Sequence, residues 1–339
     1  MLEEACSAPG VVAAQLEQLG LVDAFVRELS GQSLSVVLTV ARGSSDHAAA
    51  YFASLVMNRL GLPVASLPMS TVTLHDSLMQ VEGQLAVAFS QSGRSPDLVE
   101  TMQALRRAGA ATLALVNVPG SPLALACDYS LPLAAGAEHS VAATKSYIAM
   151  LSMSALLVAH LEYGRHGRAE LLGALSSLPA ALLVALEQDW SALTRELGDA
   201  ERMMVVGRGA GLGVAQEAAL KLKETSGIQA EAFSGAEVRH GPMEIIEKDY
   251  PLLVLAPRGP EQLGLLALAS EMRARGAKVL LAAPKGTPEV ALPIAETGHV
   301  LLDPISVIQS FYPAAEQLAR ARGREPDAPR HLHKVTQTR

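Results

Sequence analysis

Apolar and polar positions along this chain follow a repeating order. Short apolar runs at 35–40, 85–89, 112–116 and 129–133 have strand length and end in polar or Gly-containing turns, as strands buried on both faces do. Between them lie stretches with helical spacing, such as 47–60 and 97–107, so the pattern predicts a parallel sheet with helices on both faces. The order then returns. Val36-Val37-Leu38-Thr39-Val40-Ala41-Arg42-Gly43 is echoed by Met203-Met204-Val205-Val206-Gly207-Arg208-Gly209, each before an Ala-rich helix. Leu105-Arg106-Arg107-Ala108-Gly109-Ala110 is echoed by Met272-Arg273-Ala274-Arg275-Gly276-Ala277, each a helix end closed by Gly. Gly209 follows Gly43 by 166 positions and Gly276 follows Gly109 by 167. Two echoes at nearly one offset imply a duplicated doubly wound unit.

The expected division is an N-terminal helical segment over 1–30, a first α/β domain over 31–163, a helical connector over 164–199, a second α/β domain over 200–323 and a tail over 324–339. Residues 155–196 read as helical, with Gly164 and Pro179 as breaks. The tail has two prolines, several basic residues and no period, and by composition it reads as disordered.

Composition narrows the class. The 339 residues suffice for two domains of ordinary size, and half are hydrophobic while only 4% are aromatic. That balance suits Ala-rich helices on Val/Leu strands. A net charge of -7 without a long basic run argues against a nucleic-acid surface but leaves room for a small anionic ligand. Cys6 and Cys127 match no metal or disulfide spacing and read as reduced and structural. The acidic start, Met1-Leu2-Glu3-Glu4-Ala5, is not a secretory signal. The apolar stretch 148–161 is broken by Ser152, Ser154 and His160 and is short for a membrane span. A cytoplasmic protein is expected.

Candidate chemistry sits at strand ends. Ser90-Gln91-Ser92-Gly93-Arg94-Ser95-Pro96-Asp97 follows a buried strand, and its hydroxyls, its Gly turn and Pro96 at a helix start suit a phosphate. An ordinary Ser-rich turn with a Ser or Asp cap reads the same residues as well. Arg42-Gly43-Ser44-Ser45-Asp46-His47 occupies the equivalent junction after the first strand, where Ser45 or Asp46 as a mere helix cap is the simpler reading. Glu217, Lys221 and Glu224 share one helical face. They form either a solvated salt-bridge stripe or a carboxylate base whose charge Lys221 adjusts. His240, in Arg239-His240-Gly241-Pro242, fits proton transfer near neutral pH, although a lone turn histidine among nine is more often structural.

Taken in order, these motifs resemble the sugar isomerase (SIS) family over nearly the whole chain. More closely, they are similar to the two-SIS-domain isomerase half of glucosamine-6-phosphate synthase and its stand-alone deaminase relatives. The carrying motifs also include Asn117-Val118-Pro119-Gly120-Ser121, Val141-Ala142-Ala143-Thr144-Lys145 and Asp327-Ala328-Pro329-Arg330-His331-Leu332-His333-Lys334. The resemblance implies two tandem SIS domains. It implies that Ser45, Ser90, Gln91, Ser92 and Ser95 hold the phosphate of a hexose phosphate or amino-hexose phosphate. Ser44, the backbone near Val141 and Ala143 would meet sugar hydroxyls. Glu224 would move a proton between C1 and C2 beside Lys221, His240 would open the ring from the other subunit of a homodimer, and Lys334 would form a Schiff base with the ketose. On that footing the tail is an active-site flap.

Arg42, Ser44, Ala143 and His333 replace Cys, Thr, Ser and Ala of the synthase pattern, and Arg42-Gly43-Ser44-Ser45 is closer to the deaminases. With Leu2 at position 2 and Cys6 behind five residues, no glutaminase nucleophile is expected, so any ammonia would be free or come from a partner. The implied reaction is glucosamine 6-phosphate to fructose 6-phosphate and ammonia, without metal or redox cofactor. The alternatives are an aminotransferase-type isomerase, a deglycase of a glycated-amine phosphate and a silent sugar-phosphate sensor.

Overall fold

The computed structural model describes residues 1–29 and 31–334. Ser30, in the expected N-terminal segment, and residues 335–339 of the tail lie outside the described residues. The chain divides into two compact units that exchange short segments. One comprises Gly10–Glu138, Lys145–Leu175 and, among the described residues, His333 and Lys334. The other comprises Met1–Pro9, His139–Thr144 and Ser176–Leu332. A contiguous division of the chain does not express this exchange.

The earlier unit is built on β1 (Val37–Val40), β2 (Val64–Ser66), β3 (Leu85–Ser90), β4 (Ala111–Val116) and β5 (Tyr129–Pro132), all parallel in the order β2-β1-β3-β4-β5. Successive residues point to opposite faces, and β3 is buried along its length. Ala86 and Ala88 pack with Leu98, Met102 and Leu105 of the helix Pro96–Arg107. Phe89 turns the other way and meets Phe52 of the helix Ser44–Leu60, ring centroids 5.6 Å apart. Small residues on one face and a large ring on the other let helices cover both sides, and deleting a ring of this kind costs about 3–5 kcal/mol.

The later unit repeats the plan with β6 (Arg202–Gly207), β7 (Gln229–Ser234), β8 (Pro251–Leu255), β9 (Lys278–Pro284) and β10 (Leu292–Ile294), in the order β10-β9-β8-β6-β7. Counted within its own unit, each sheet has its second strand outside its first and its third inside it. Met204, Val206, Leu252 and Val254 pack under Leu265, Leu268 and Met272 of the helix Gln262–Ala274. The two echoes seen in sequence have matching backbones. Gly43 and Gly209 precede their helices at φ 55 with ψ -133 and -131, while Gly109 and Gly276 follow theirs at φ 86 and 91.

Two expectations change. Gly164 does not break the connector, because it lies inside the helix Lys145–His166 with Val26 beside it. The helix ends before Gly167, which takes φ 68 and returns its N–H to Tyr163. Pro179 falls in the first turn of the helix Leu178–Leu186, where its missing N–H costs nothing. The helix Lys145–His166 has 22 residues, long and apolar enough to cross a membrane by length and composition, so the length argument over 148–161 fails. Of its most apolar window 89% is buried inside the protein, and its apolar character serves that packing.

Candidate active site

In the earlier unit the chain leaves β1 and β3 in opposite directions, and the crevice beyond the carboxyl ends of such strands is where open α/β sheets bind ligands. Both polar loops found in the sequence sit there. Arg42, after β1, donates through Nε (3.1 Å) and Nη2 (2.9 Å) to Asp97 Oδ2 in the first turn after β3. Asp97 is buried, so this charge-assisted pair ties the loops together. Gly93 takes φ 62, and a Cβ there would lie 2.2 Å from Ser121 Oγ. Only glycine fits, and the backbone turns tightly across the loop.

The capping reading fails at the first junction, whereas at the second Asp97 Oδ1 accepts from Leu98 N at 2.9 Å. Gly43 is the N-cap of the helix Ser44–Leu60, so Ser44 and Ser45 begin the helix and Asp46 lies in its first turn. Burial pushes the Asp46 carboxyl up, partly opposed by His47, Arg42 and a hydrogen bond with Ser66. Ser95 holds the N-cap position of the helix Pro96–Arg107 without making a side-chain cap bond. Ser90 Oγ accepts from Gly93 N at 2.9 Å and Ser92 Oγ from Arg94 N at 3.3 Å, and each hydroxyl keeps a proton to donate. Gln91 lies between them, half-buried. The loop therefore offers hydroxyls and a helix N-terminus to an anion.

In the later unit Glu217, Lys221 and Glu224 come together, and the solvated-stripe reading does not hold. Lys221 Nζ lies 2.6 Å from Glu224 Oε2 and 3.2 Å from Glu217 Oε1, and Glu217 and Lys221 are completely buried. Tyr312, also buried, donates to Glu217 Oε1 at 3.3 Å. Burial is the strongest single influence on Lys221 and favours the neutral amine, but the two carboxylates together outweigh it and hold its pKa above the usual value. Glu224 is the member that meets solvent, with 20% of its side chain exposed. It lies where the helix Ala210–Lys221 widens into a π-helical turn, Leu222–Ser226, a distortion frequent at functional sites. Sequence spacing marks the three residues but not that turn.

Glu224 lines a cavity of about 600 Å³ whose other walls include Lys223, Arg324, Arg330 and His331. The tail segment 323–332 thus forms one side of the space beside the carboxylate. His240 is exposed at the end of the short helix Glu237–His240 and does not line this cavity. Val141 donates its N–H to the carbonyl of Asp327 in the tail, while Ala143 is half-buried in the same short segment.

Lys334 belongs to the earlier unit. Its Nζ lies 2.8 Å from Oε2 of Glu138, a buried carboxylate that the sequence reading passes over. The available signal is the position of Glu138 just upstream of the Val141-Ala142-Ala143-Thr144-Lys145 motif. Asp97, Tyr312 and Arg324 are likewise invisible as partners until the chain folds. Among the described residues no cluster of three His, Cys, Asp or Glu is arranged for a metal ion.

Comparison with known proteins gives a consistent set. The SIS domain model matches residues 35–160 and 196–288. A glutamine–fructose-6-phosphate aminotransferase (isomerizing) of Aeropyrum pernix is 38% identical over 319 residues, which cover 88% of this chain and 50% of that protein. The Halobacterium salinarum protein of the same name is 32% identical over 95% of this chain and 56% of its own length. The chain thus spans about half the length of these relatives. Among solved structures, a candidate phosphosugar isomerase from Silicibacter pomeroyi DSS-3 aligns at a TM-score of 0.89 with 37% identity, covering 96% of this chain and 98% of the other. The C-terminal domain of glucosamine-fructose-6-phosphate aminotransferase from Francisella tularensis aligns at 0.89 with 26% identity, covering 97% of each chain.

Proposed function

The chain belongs to the SIS-domain family, and from that we propose that it is an amino-sugar phosphate isomerase-deaminase. Its substrate on this reading is glucosamine 6-phosphate and its products are fructose 6-phosphate and ammonia. The observation that carries the reading is Glu224, the solvent-touching end of a buried Glu–Lys–Glu cluster, set on a π-turn beside a cavity. A salt-bridge stripe has no need to bury an ammonium between two carboxylates, whereas a base that must stay charged and oriented does.

Ser45, Ser90, Gln91, Ser92 and Ser95 bind the phosphate; Ser44 and the backbone at Val141 and Ala143 receive sugar hydroxyls. His240 opens the pyranose. Glu224 takes the C2 proton and returns it to C1 through an enolamine, and water hydrolyses the resulting C2 imine. Lys221 holds Glu224 in place, and Lys334 meets the open-chain carbonyl. The exposed position of His240, away from the cavity beside Glu224, supports a homodimer in which this histidine serves the partner's site. The working compartment is the cytoplasm, where both cysteines remain reduced.

The names of the similar aminotransferases favour a second reading, an isomerase unit of that type running toward glucosamine 6-phosphate. Product analysis separates them. The purified chain is given glucosamine 6-phosphate and galactosamine 6-phosphate in parallel, and glutamine with fructose 6-phosphate in a third arm. Fructose 6-phosphate and ammonium from the first arm support the deaminase; stoichiometric glutamate and glucosamine 6-phosphate in the third promote the aminotransferase. Binding without turnover in every arm would make the chain a sensor.

A further inference from the structure

Glu138 stands outside every motif yet has one of the most constrained side chains in its unit. The side chain is completely buried, and three donors converge on it. Ser146 N reaches Oε1 at 3.1 Å, Ser146 Oγ reaches Oε2 at 2.7 Å, and Lys334 Nζ reaches Oε2 at 2.8 Å. Ser146 is the second residue of the helix Lys145–His166, so the carboxylate also satisfies an otherwise unpaired N–H at that helix start. All three donors call for an ionised acceptor. The carboxylate is thus fixed to the most buried helix of the unit, while the lysine it holds belongs to the tail and is 23% exposed.

We propose that Glu138 is a further catalytic residue, the proton acceptor and donor for the Lys334 amine. This rests on the reading of Lys334 as the imine-forming lysine. An ammonium cannot attack a carbonyl. Its proton passes from Nζ to Glu138 Oε2, and the freed electron pair on Nζ forms the N–C2 bond as the carbonyl π-electrons move to oxygen. The carbinolamine oxygen, protonated from solvent as the nitrogen gives up its second proton, then receives the proton held by Glu138 and departs as water. The balance is one ammonium and one ketose giving one iminium and one water, with Glu138 returned to its carboxylate opposite the new cation. No other reactant is required.

The test is reductive trapping of fructose 6-phosphate on the full chain with cyanoborohydride, followed by mass spectrometry of the Lys334 peptide between pH 5.5 and 9. In the wild type the trapping rate should be nearly flat across this range, because the base is built in. An unassisted lysine, with an ordinary pKa of about 10.4, would gain roughly tenfold per pH unit. Glu138→Gln should slow trapping at pH 7 by about a hundredfold or more and bring in that tenfold slope. Glu138→Asp, which keeps the charge at a longer reach, should recover part of the rate and flatten the slope. Because the wild-type profile needs no variant, the proposal stays falsifiable even where Glu138→Gln does not fold. A wild type trapped at Lys334 with an unassisted slope, or a folded Glu138→Gln trapped at the wild-type rate, overturns the role of Glu138 and leaves the imine standing. No trapping at Lys334 in the wild type overturns the imine reading and this proposal with it.

Discussion

Replacing Lys221 with Met removes the ammonium while nearly keeping the volume, and it takes the cation away from Glu217, which is completely buried and accepts from Tyr312. Glu224 is partly exposed and can turn to water, so the cost falls on Glu217. A buried carboxylate that has lost its cation is relieved by taking up a proton. For a carboxyl with an ordinary pKa of about 4.3, being neutral at pH 7 costs about 2.7 units at ~1.4 kcal/mol each, or ~3.7 kcal/mol. That agrees with the ~3–5 kcal/mol typical of breaking a buried pair. In the variant Glu217 binds a proton only when folded, so the penalty grows as pH rises above about 4.3 and shrinks to ~1 kcal/mol at pH 5. Lys221 in the native protein acts in another range: held above the usual lysine value, its contribution is complete below about pH 10.4 and is lost as pH rises through the raised value. Urea unfolding at pH 5 and pH 7, followed by tryptophan fluorescence, measures the difference. Trp190 is the only tryptophan and lies in the same unit, with its Nε1 bonded to the Pro293 carbonyl at 2.8 Å. A loss below ~1 kcal/mol at pH 7, or one that does not change with pH, would refute the reasoning.

Further outcomes follow from the same geometry. Gly43→Ala and Gly209→Ala each force an L-residue into a glycine conformation and should cost ~1–3 kcal/mol by chemical denaturation. Gly209→Ala should be the worse of the two, since a Cβ there also displaces Glu261, whose Oε1 would lie 2.3 Å away, while Gly43 has open space. Ellman's reagent at pH 8 should titrate Cys6 alone in the native chain, because burial, aided by Asp128, pushes the Cys127 thiol up to about 12; two thiols before unfolding would contradict this. Mixing inactive Glu224→Gln and His240→Ala chains under subunit exchange should restore about a quarter of wild-type turnover, since half the dimers then carry one intact site. No recovery would place both residues in one subunit's site.

The fold was legible because its signals are local. Buried strands, glycine-closed helices and two echoes at one spacing are properties of neighbouring residues, and Gly43 and Gly209 adopt the same rare backbone because each turns a strand into a helix. Gly164 misled for the same reason: a glycine reads as a break, but here it lies inside the helix Lys145–His166, where a Cβ would meet Val26 only at ordinary contact distance. The candidate site was half legible. Hydroxyl-rich loops are contiguous, so Ser90 to Ser95 could be found. Whether Glu217, Lys221 and Glu224 face water or the interior depends on Tyr312 and the helix Asp303–Ala321, about ninety residues away. Glu138 and Lys334 lie still farther apart along the chain, and nothing in either local sequence announces the other.

The most direct test is conversion of glucosamine 6-phosphate in deuterium oxide, followed by NMR for ammonium and for deuterium at C1 of fructose 6-phosphate. If Glu224 carries the C2 proton to C1 and exchanges it with solvent, the wild type should release ammonium and place deuterium at C1, and Glu224→Gln should lose both by about a hundredfold to ten-thousandfold. Undiminished release and labelling by Glu224→Gln would contradict the account.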